Sequence, residues 1–187
     1  MLKYIPNFLT TLRIIFVPVL VITVYLQFNI TSYLKLFIFL FAGCTDIFDG
    51  FIARACKTKS TLGQILDPIA DKLLNISTLV ILLSQYQIPI EATIIIICRE
   101  ILISGFREFC SLFRAKTNLS VSKLSKIKTA SQIIAIVILI LDDQILTENN
   151  FIIKFFIQNI GLIFLWISTI LTIITGLSYL KQIPKHL

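Results

Sequence analysis

Long apolar segments separated by short polar stretches make up most of this chain. The segments lie at residues 14–28, 33–55, 65–84, 88–113, 121–141 and 152–180. A helix needs about 20 apolar residues to cross a bilayer, and its backbone polar groups must be satisfied within the helix itself. The pattern therefore predicts an all-α polytopic membrane protein with six transmembrane helices. The apolar run after Lys3 lacks a small-residue cleavage site, so we expect it to be retained, with a short N-terminal interfacial helix before the first span.

Polar residues between positions 46 and 71 break this apolar pattern. Two sets of carboxylates and small residues have helical spacing: Asp46, Asp49, Gly50 and Ala53 at i, i+3, i+4 and i+7, and Gly63, Asp67 and Asp71 at i, i+4 and i+8. Residues at these spacings lie on one face of a helix. The pattern predicts two helices, each with a paired-Asp face, which meet across a polar turn at residues 57–61.

Carboxylates within a bilayer need a neutralising partner. Each Asp near the bilayer centre costs roughly 2.5 to 3.5 kcal/mol on insertion scales. Hard oxygen ligands favour Mg²⁺, Mn²⁺ or Ca²⁺ over Zn²⁺, and four carboxylates can bridge two such ions. The alternative is a set of interfacial salt bridges with Arg54, Lys57, Lys59 and Lys72. Salt bridges would account for the charges but not for the small residues beside them.

Composition and charge indicate the surroundings of the chain. Of its 187 residues, 57% are hydrophobic and 14% are charged, and the formal net charge is +7. Because the basic residues lie between apolar segments, we expect anionic headgroups and phosphorylated substrates as partners, and no nucleic acid. Lys35 and Lys154 fall on one side of the predicted topology and the other basic residues on the opposite side, which places the termini and the Asp positions on the cytoplasmic side. No change in composition marks a linker, so residues 1–187 are expected to form one domain.

A second group of polar residues lies in the fourth and fifth segments. Its members are Arg99, Glu100, Ser104 and Arg107, followed by Lys123, Lys126 and Lys128. Glu100, Ser104 and Arg107 have the spacing i, i+4 and i+7, which places a polar stripe on an otherwise apolar helix. Each of the cations could instead extend to the headgroup boundary as a lipid-facing residue.

The stretch from 46 to 71 resembles the signature of a known family. Every fixed position of the CDP-alcohol phosphatidyltransferases is present at its fixed spacing: Asp46, Asp49, Gly50, Ala53, Arg54, Gly63, Asp67 and Asp71. The resemblance implies an integral membrane enzyme, usually a homodimer, that moves a phosphatidyl group from a CDP-linked lipid to an alcohol. It further implies two divalent cations, Mg²⁺ or Mn²⁺, held by the four Asp, with Asp71 as the catalytic base for the acceptor hydroxyl.

The same resemblance assigns residues to the CDP-diacylglycerol substrate. Pro6, Asn7 and Thr10 match a Pro-Asn-x-x-Thr pattern near the N-terminus of the family that helps to hold the nucleotide. The complete expected CDP-lipid-binding set is Asn7, Thr10, Gly50, Ala53, Arg54 and Gly63. The alternative for Asn7 is that it caps the first helix. Arg13, one turn after Thr10, is expected at headgroup level.

Residues 99–108 and 121–129 resemble the phosphatidylglycerophosphate synthases within this family, although Ser125 stands where a Gly commonly precedes the first Lys. The implied acceptor is glycerol 3-phosphate, with its phosphate held by Arg99, Arg107, Lys126 and Lys128. The implied products are phosphatidylglycerophosphate and CMP, formed at the cytoplasmic face of a bacterial inner membrane. Inositol phosphate, inositol and serine are alternative acceptors. A small cation transporter is the alternative from another class, since intramembrane Asp beside small residues could form an ion path.

Overall fold

The structure, a computed structural model, describes residues 5–26, 31–56, 61–112, 123–142 and 151–181, and it is helical through almost all of them. The helices are α1 (Ile5–Tyr25), α2 (Thr31–Cys56), α3 (Thr61–Ser84), α4 (Ile90–Leu112), α5 (Lys123–Asp142) and α6 (Phe151–Lys181). The all-α prediction is confirmed. Because α1 is one helix from its first described residue, a separate N-terminal interfacial helix stays a prediction.

Two of the described helices are long and apolar enough to cross a membrane, at Lys123–Asp142 and Ile152–Tyr179. Shorter apolar helical stretches occur at Thr10–Tyr25 and Tyr33–Thr45. Large apolar side chains are exposed on all six described helices, for example Ile22, Phe37, Leu102, Ile134 and Ile170. Extensive exposed apolar surface of this kind is typical of contact with lipid. The number of six spans stays a prediction.

Threonine hydroxyls inside these helices bond to the backbone of their own helix. Thr23 Oγ1 donates to Leu20 O at 2.6 Å, and Thr45 Oγ1 donates to Ala42 O at 2.7 Å. A buried hydroxyl without a partner costs about 1 to 3 kcal/mol, and a bond to the preceding turn removes that cost. Small polar residues can therefore occupy apolar surroundings in these helices.

The chain divides into two compact units, and the first contains α1, α2 and α3 within residues 5–84. In this unit α1 packs against both α2 and α3. Its buried apolar residues include Leu20, Ile38, Ala42, Leu74 and Leu79. An edge-to-face pair of Phe16 and Phe41, with ring centroids 5.9 Å apart, adds a contact between α1 and α2. The helices that carry the Asp motif thus share α1 as a packing partner.

The second unit contains α4, α5 and α6 within residues 85–142 and 151–181. In this unit α6 packs against both α4 and α5. Two glycines on α6 allow close approach, since a Cβ on Gly161 would lie 2.8 Å from Leu139 Cγ and one on Gly176 would lie 3.3 Å from Arg99 Cγ. At Gly176 the backbone of α6 therefore lies beside Arg99 of α4, one of the cations predicted to bind substrate.

A short connection at residues 85–89 joins α3 to α4. Tyr86 has a φ of 58°, in the left-handed region that side chains other than glycine rarely adopt. Its side chain is 95% exposed. The side chain of Tyr86 thus lies on the surface of this connection.

Candidate active site

The Asp motif lies on the helices that its spacing predicts. Asp46, Asp49, Gly50, Ala53 and Arg54 belong to α2, and Gly63, Asp67 and Asp71 belong to α3. With 3.6 residues per turn, each pair of Asp positions is separated by about one turn on one helix face. Apart from Asp71, the side chains of the motif lie outside the described residues. Residues 57–60 of the turn predicted at 57–61 also lie outside them, and Thr61 is the first residue of α3. The helical placement of both pairs is confirmed, and their union in one metal site stays a prediction.

Asp71 is exposed, and a neighbouring amide holds its carboxylate. Asn75 Nδ2 donates to Asp71 Oδ1 at 3.2 Å and to Asp71 O at 2.9 Å. The amide thus links one carboxylate oxygen to the backbone of α3 and restricts rotation of the side chain. Asn75 was not among the residues predicted from sequence. Its spacing of i+4 from Asp71 is the signal that could have identified it.

The N-terminal residues assigned to the nucleotide lie on α1. Asn7 is two residues inside the helix that begins at Ile5, so the backbone does not place it at an N-cap, and its side chain lies outside the described residues. Thr10 and Arg13 are one turn apart, and each is only 1% exposed. Arg13 is therefore enclosed by protein, and its expected position at headgroup level stays a prediction. Packing of α1 against α2 and α3 encloses a guanidinium that the sequence pattern placed at a boundary.

Glu100 connects the predicted cations of α4 and α5. Its Oε1 forms an ion pair with Lys128 Nζ and accepts a hydrogen bond from Arg99 Nη1 at 3.2 Å. Lys128 is 3% exposed, and the hydroxyls of Ser131 and Ser168 donate to its carbonyl oxygen. Removing one member of a buried ion pair leaves an uncompensated charge, which is strongly destabilising. Lys128 therefore has a structural role on α5, with Glu100 as its counterion.

Arg99 and Arg107 of α4 both reach Tyr179 of α6. Arg107 Nη2 donates to Tyr179 Oη at 2.8 Å, and Arg99 Nη2 donates to Thr175 Oγ1 at 3.0 Å. The guanidinium carbons lie 5.3 Å and 5.6 Å from the centroid of the Tyr179 ring, within the range of cation–π attraction. Arg99 is mostly buried and Arg107 is exposed. The hydroxyl and ring of Tyr179 thus hold two of the predicted acceptor cations.

Lys126 lies apart from this network. It is exposed on α5, and two residues along a helix correspond to about 200° of rotation from the buried Lys128. It forms no ion pair with another residue in the described part of the chain. The structure thus joins Arg99, Arg107 and Lys128 through Glu100 and α6, and the role of Lys126 stays a prediction.

An apolar groove of about 300 Å³ lies between α4 and α6. Its lining includes Cys98, Arg99, Leu102, Thr172 and Gly176. Apart from Arg99 and Thr172, these residues present apolar or weakly polar surface. One side of the cation network therefore borders apolar surface.

Comparison with known proteins agrees with the motif. The family described as CDP-alcohol phosphatidyltransferase matches residues 3–174. A protein of Rickettsia felis named CDP-diacylglycerol–glycerol-3-phosphate 3-phosphatidyltransferase is 39% identical over 184 residues, which are 98% of this chain and 97% of the relative. Proteins of the same name from Rickettsia bellii and Haemophilus influenzae are 40% and 36% identical, covering 97% and 95% of this chain and 96% and 91% of the respective relatives. On this similarity, which extends over nearly the whole of its length, the chain belongs to the CDP-alcohol phosphatidyltransferase family.

Proposed function

We propose that this protein transfers the phosphatidyl group of CDP-diacylglycerol to glycerol 3-phosphate and releases CMP. The observation that carries the proposal is the nearly full-length similarity to relatives that are named for this reaction. The complete Asp motif on α2 and α3 and the cation network on α4 to α6 supply groups suited to both substrates. Membership of the family makes the protein a phosphatidyltransferase, and the acceptor is the part that needs a direct test.

The carboxylates of the motif suit hard divalent cations. Four Asp side chains offer only oxygen donors, which is the chemistry that Mg²⁺ and Mn²⁺ prefer. We assign Asp46, Asp49, Asp67 and Asp71 to two such ions, whose contribution when bound is to offset the charge of the CDP-diacylglycerol diphosphate. Beside them, Gly50, Ala53 and Gly63 would leave room for the nucleotide. Arg54, Asn7 and Thr10 would contact its polar groups.

The reaction is a displacement at the phosphorus that carries the diacylglycerol. The hydroxyl oxygen of glycerol 3-phosphate forms a bond to this phosphorus, and the bond from phosphorus to the CMP oxygen breaks. The hydroxyl proton passes to Asp71, which is exposed and has one carboxylate oxygen held by Asn75. Positioning of the acceptor is then a task for cations, because its phosphate is a dianion near neutral pH.

Acceptor binding is assigned to Arg99, Arg107, Lys126 and Lys128. Arg107 and Lys126 are exposed, whereas Arg99 is mostly buried and Lys128 is almost fully buried beside Glu100. A guanidinium has five N–H donors, so the bond from Arg107 to Tyr179 leaves donors for phosphate oxygens. Arg107 is therefore the cation of the network best placed to contact the acceptor, with Arg99 and Lys128 contributing positive charge behind it.

The proposed setting is the cytoplasmic side of a bacterial inner membrane. The apolar surface of the described helices supports a location in a membrane. The predicted charge asymmetry supports this orientation. Within this proposal the chain is one domain of residues 1–187 with six spans, preceded by an interfacial helix, and it functions as a homodimer among membrane lipids.

Acceptor selection tests the proposed function. Purified protein would receive CDP-diacylglycerol with Mg²⁺ and, in separate reactions, glycerol 3-phosphate, glycerol, serine, inositol or inositol phosphate, and CMP release would be measured. We expect strong preference for glycerol 3-phosphate over glycerol, serine and inositol, because the exposed Arg107 can pair with a phosphate. Preference over inositol phosphate is expected from the similarity to relatives that are named for glycerol 3-phosphate. Equal turnover with serine or free inositol would contradict the acceptor assignment but not the phosphatidyl transfer. A cation transporter would release no CMP with any acceptor.

A further inference from the structure

We propose that Tyr179 of α6, assisted by Thr175, is a positioning residue for the acceptor phosphate, because it fixes the guanidinium groups of Arg99 and Arg107. This inference rests on the proposed function and names a part of the acceptor site beyond its cations. Tyr179 lies in the C-terminal third of the chain, 80 residues beyond Arg99 and 72 beyond Arg107 in sequence. Only the packing of α6 against α4 brings it to them.

Helix α4 by itself does not favour convergence of the two guanidinium groups. Arg99 and Arg107 are eight residues apart, which corresponds to roughly 12 Å along a helix axis. Long side chains can span this separation but lose rotamer freedom when they converge, and two cations repel each other. Tyr179 counters both effects, since the centroid of its ring lies within 6 Å of both guanidinium carbons.

The contacts of Tyr179 have a further property that suits a binding site. The phenol is 4% exposed, so it holds the cations from the protein side and does not occupy the exposed side of Arg107. Its hydroxyl accepts from Arg107 Nη2, while the Thr175 hydroxyl, one turn earlier on α6, accepts from Arg99 Nη2. Each arginine therefore has one nitrogen fixed by α6 and the rest of its planar donor set oriented. A preorganised pair of arginines binds a phosphate with less loss of side-chain entropy.

The position of Gly176 supports the same arrangement. A Cβ at this position would lie 3.3 Å from Arg99 Cγ, closer than side chains ordinarily pack. Gly176 thus lets the aliphatic part of Arg99 lie directly against α6, between Thr175 and Tyr179 in the sequence of that helix. One face of α6 therefore combines two hydrogen-bond acceptors, an aromatic ring and space for the arginine.

The test is the substitution Tyr179→Phe, which removes the hydroxyl and keeps the ring. We expect the KM for glycerol 3-phosphate to rise about 3- to 10-fold, the effect of losing one typical hydrogen bond, with kcat and the KM for CDP-diacylglycerol changed less than twofold. Tyr179→Leu, which also removes the ring, should raise the KM further. Tyr86→Phe is the matched control, because it removes the same atom from a tyrosine that is 95% exposed on the α3–α4 connection.

The outcomes separate this inference from the proposed function. Wild-type protein that releases CMP with glycerol 3-phosphate, together with a Tyr179→Phe variant of unchanged KM, would overturn the positioning role alone. An equal fall in kcat/KM for both substrates, or a loss of thermal stability in Tyr179→Phe, would also overturn it, because a purely structural role predicts those changes. Wild-type protein that releases no CMP with glycerol 3-phosphate would overturn the proposed function and this inference with it.

Discussion

Asp49 and Asp67 provide the most direct residue-scale test of the metal assignment. Each is proposed to ligate divalent cations, and replacement of a carboxylate by an amide removes a negative charge while keeping the size of the side chain. We therefore expect Asp49→Asn and Asp67→Asn each to lower CMP release at least 100-fold, and excess chelator to do the same to the wild type. Glu91→Gln is the control, because Glu91 is an exposed carboxylate in the first turn of α4. Full activity in chelator, or in either Asp variant, would contradict the two-metal assignment.

Asp71 is proposed both to bind metal and to accept the hydroxyl proton. A general base acts in the transition state, so its loss lowers turnover more than substrate binding. We expect Asp71→Asn to lower kcat at least 100-fold while the affinity for a CDP analogue, measured by isothermal titration, falls less than 5-fold. If affinity and kcat fall together, Asp71 is a metal ligand and the base lies elsewhere.

Asn75 is expected to contribute to catalysis through Asp71. Its amide donates to Asp71 Oδ1 at 3.2 Å, and Asn75→Ala would release that carboxylate. A typical hydrogen bond contributes about 1 kcal/mol, so we expect kcat to fall roughly fivefold with little change in the KM for glycerol 3-phosphate. Asn159→Ala is a matched control, since Asn159 Nδ2 makes the same kind of bond to Phe155 O on α6. Wild-type kcat in Asn75→Ala would show that Asp71 is oriented without this amide.

The residues differ in how far their positions could be predicted from sequence. The helical placement of the Asp motif followed from spacing alone, because neighbours at i+3 and i+4 share a face in any helix. Spacing did not indicate that Lys128 is buried against Glu100. The role of Tyr179 was not predicted, because its partners lie on another helix and its neighbours on α6 are mostly apolar.

At the scale of the helices, two of the predicted apolar segments agree closely with the bounds of the observed helices. The predicted segment 88–113 corresponds to α4 at Ile90–Leu112, and 33–55 corresponds to α2 at Thr31–Cys56. The first apolar segment was predicted to begin at residue 14 after a short interfacial helix, whereas α1 is continuous over Ile5–Tyr25. Hydropathy does not show this continuity, because Asn7, Thr10, Thr11 and Arg13 interrupt the apolar pattern without interrupting the helix. Their backbone hydrogen bonds do not depend on side-chain polarity.

Close packing of α5 against α6 leads to a prediction about stability. A Cβ on Gly161 would lie 2.8 Å from Leu139 Cγ, and Leu139 is fully buried, so Gly161→Ala would force a shift in the helix contact. We expect this variant to lose about 1 to 3 kcal/mol, seen as a lower Tm in detergent. Gly105→Ala is the control, because no atom lies within 4 Å of its Cβ position among the described residues. There the better helix propensity of Ala predicts an unchanged or higher Tm. Equal Tm values for the two variants would contradict the packing argument.

At the scale of the whole molecule, the charge distribution in the sequence predicts how the chain is oriented in the membrane. The packing within each of the two units carries no information on this orientation. Two of the charges used to predict orientation, those of Lys35 and Arg13, are buried in the structure. The bias is nevertheless carried by many residues, and loss of two leaves its direction unchanged. The predicted orientation therefore does not depend on the position of any one cation.

The predicted orientation places the α3–α4 connection on the side of the membrane opposite the active site. Tyr86 is 95% exposed in this connection, and Lys123 is exposed at the start of α5, on the predicted cytoplasmic side. In an active variant with the four native cysteines replaced by serine, we expect Tyr86→Cys to react in spheroplasts with a maleimide that does not cross membranes. Lys123→Cys should react only after the membrane is permeabilised, because the bilayer excludes the charged reagent. Both thiols should react fully in detergent, which controls for local accessibility.

Labelling of Lys123→Cys in sealed spheroplasts, with Tyr86→Cys protected, would show the opposite orientation. The acceptor site on α4 and α5 would then face away from the cytoplasm that supplies glycerol 3-phosphate.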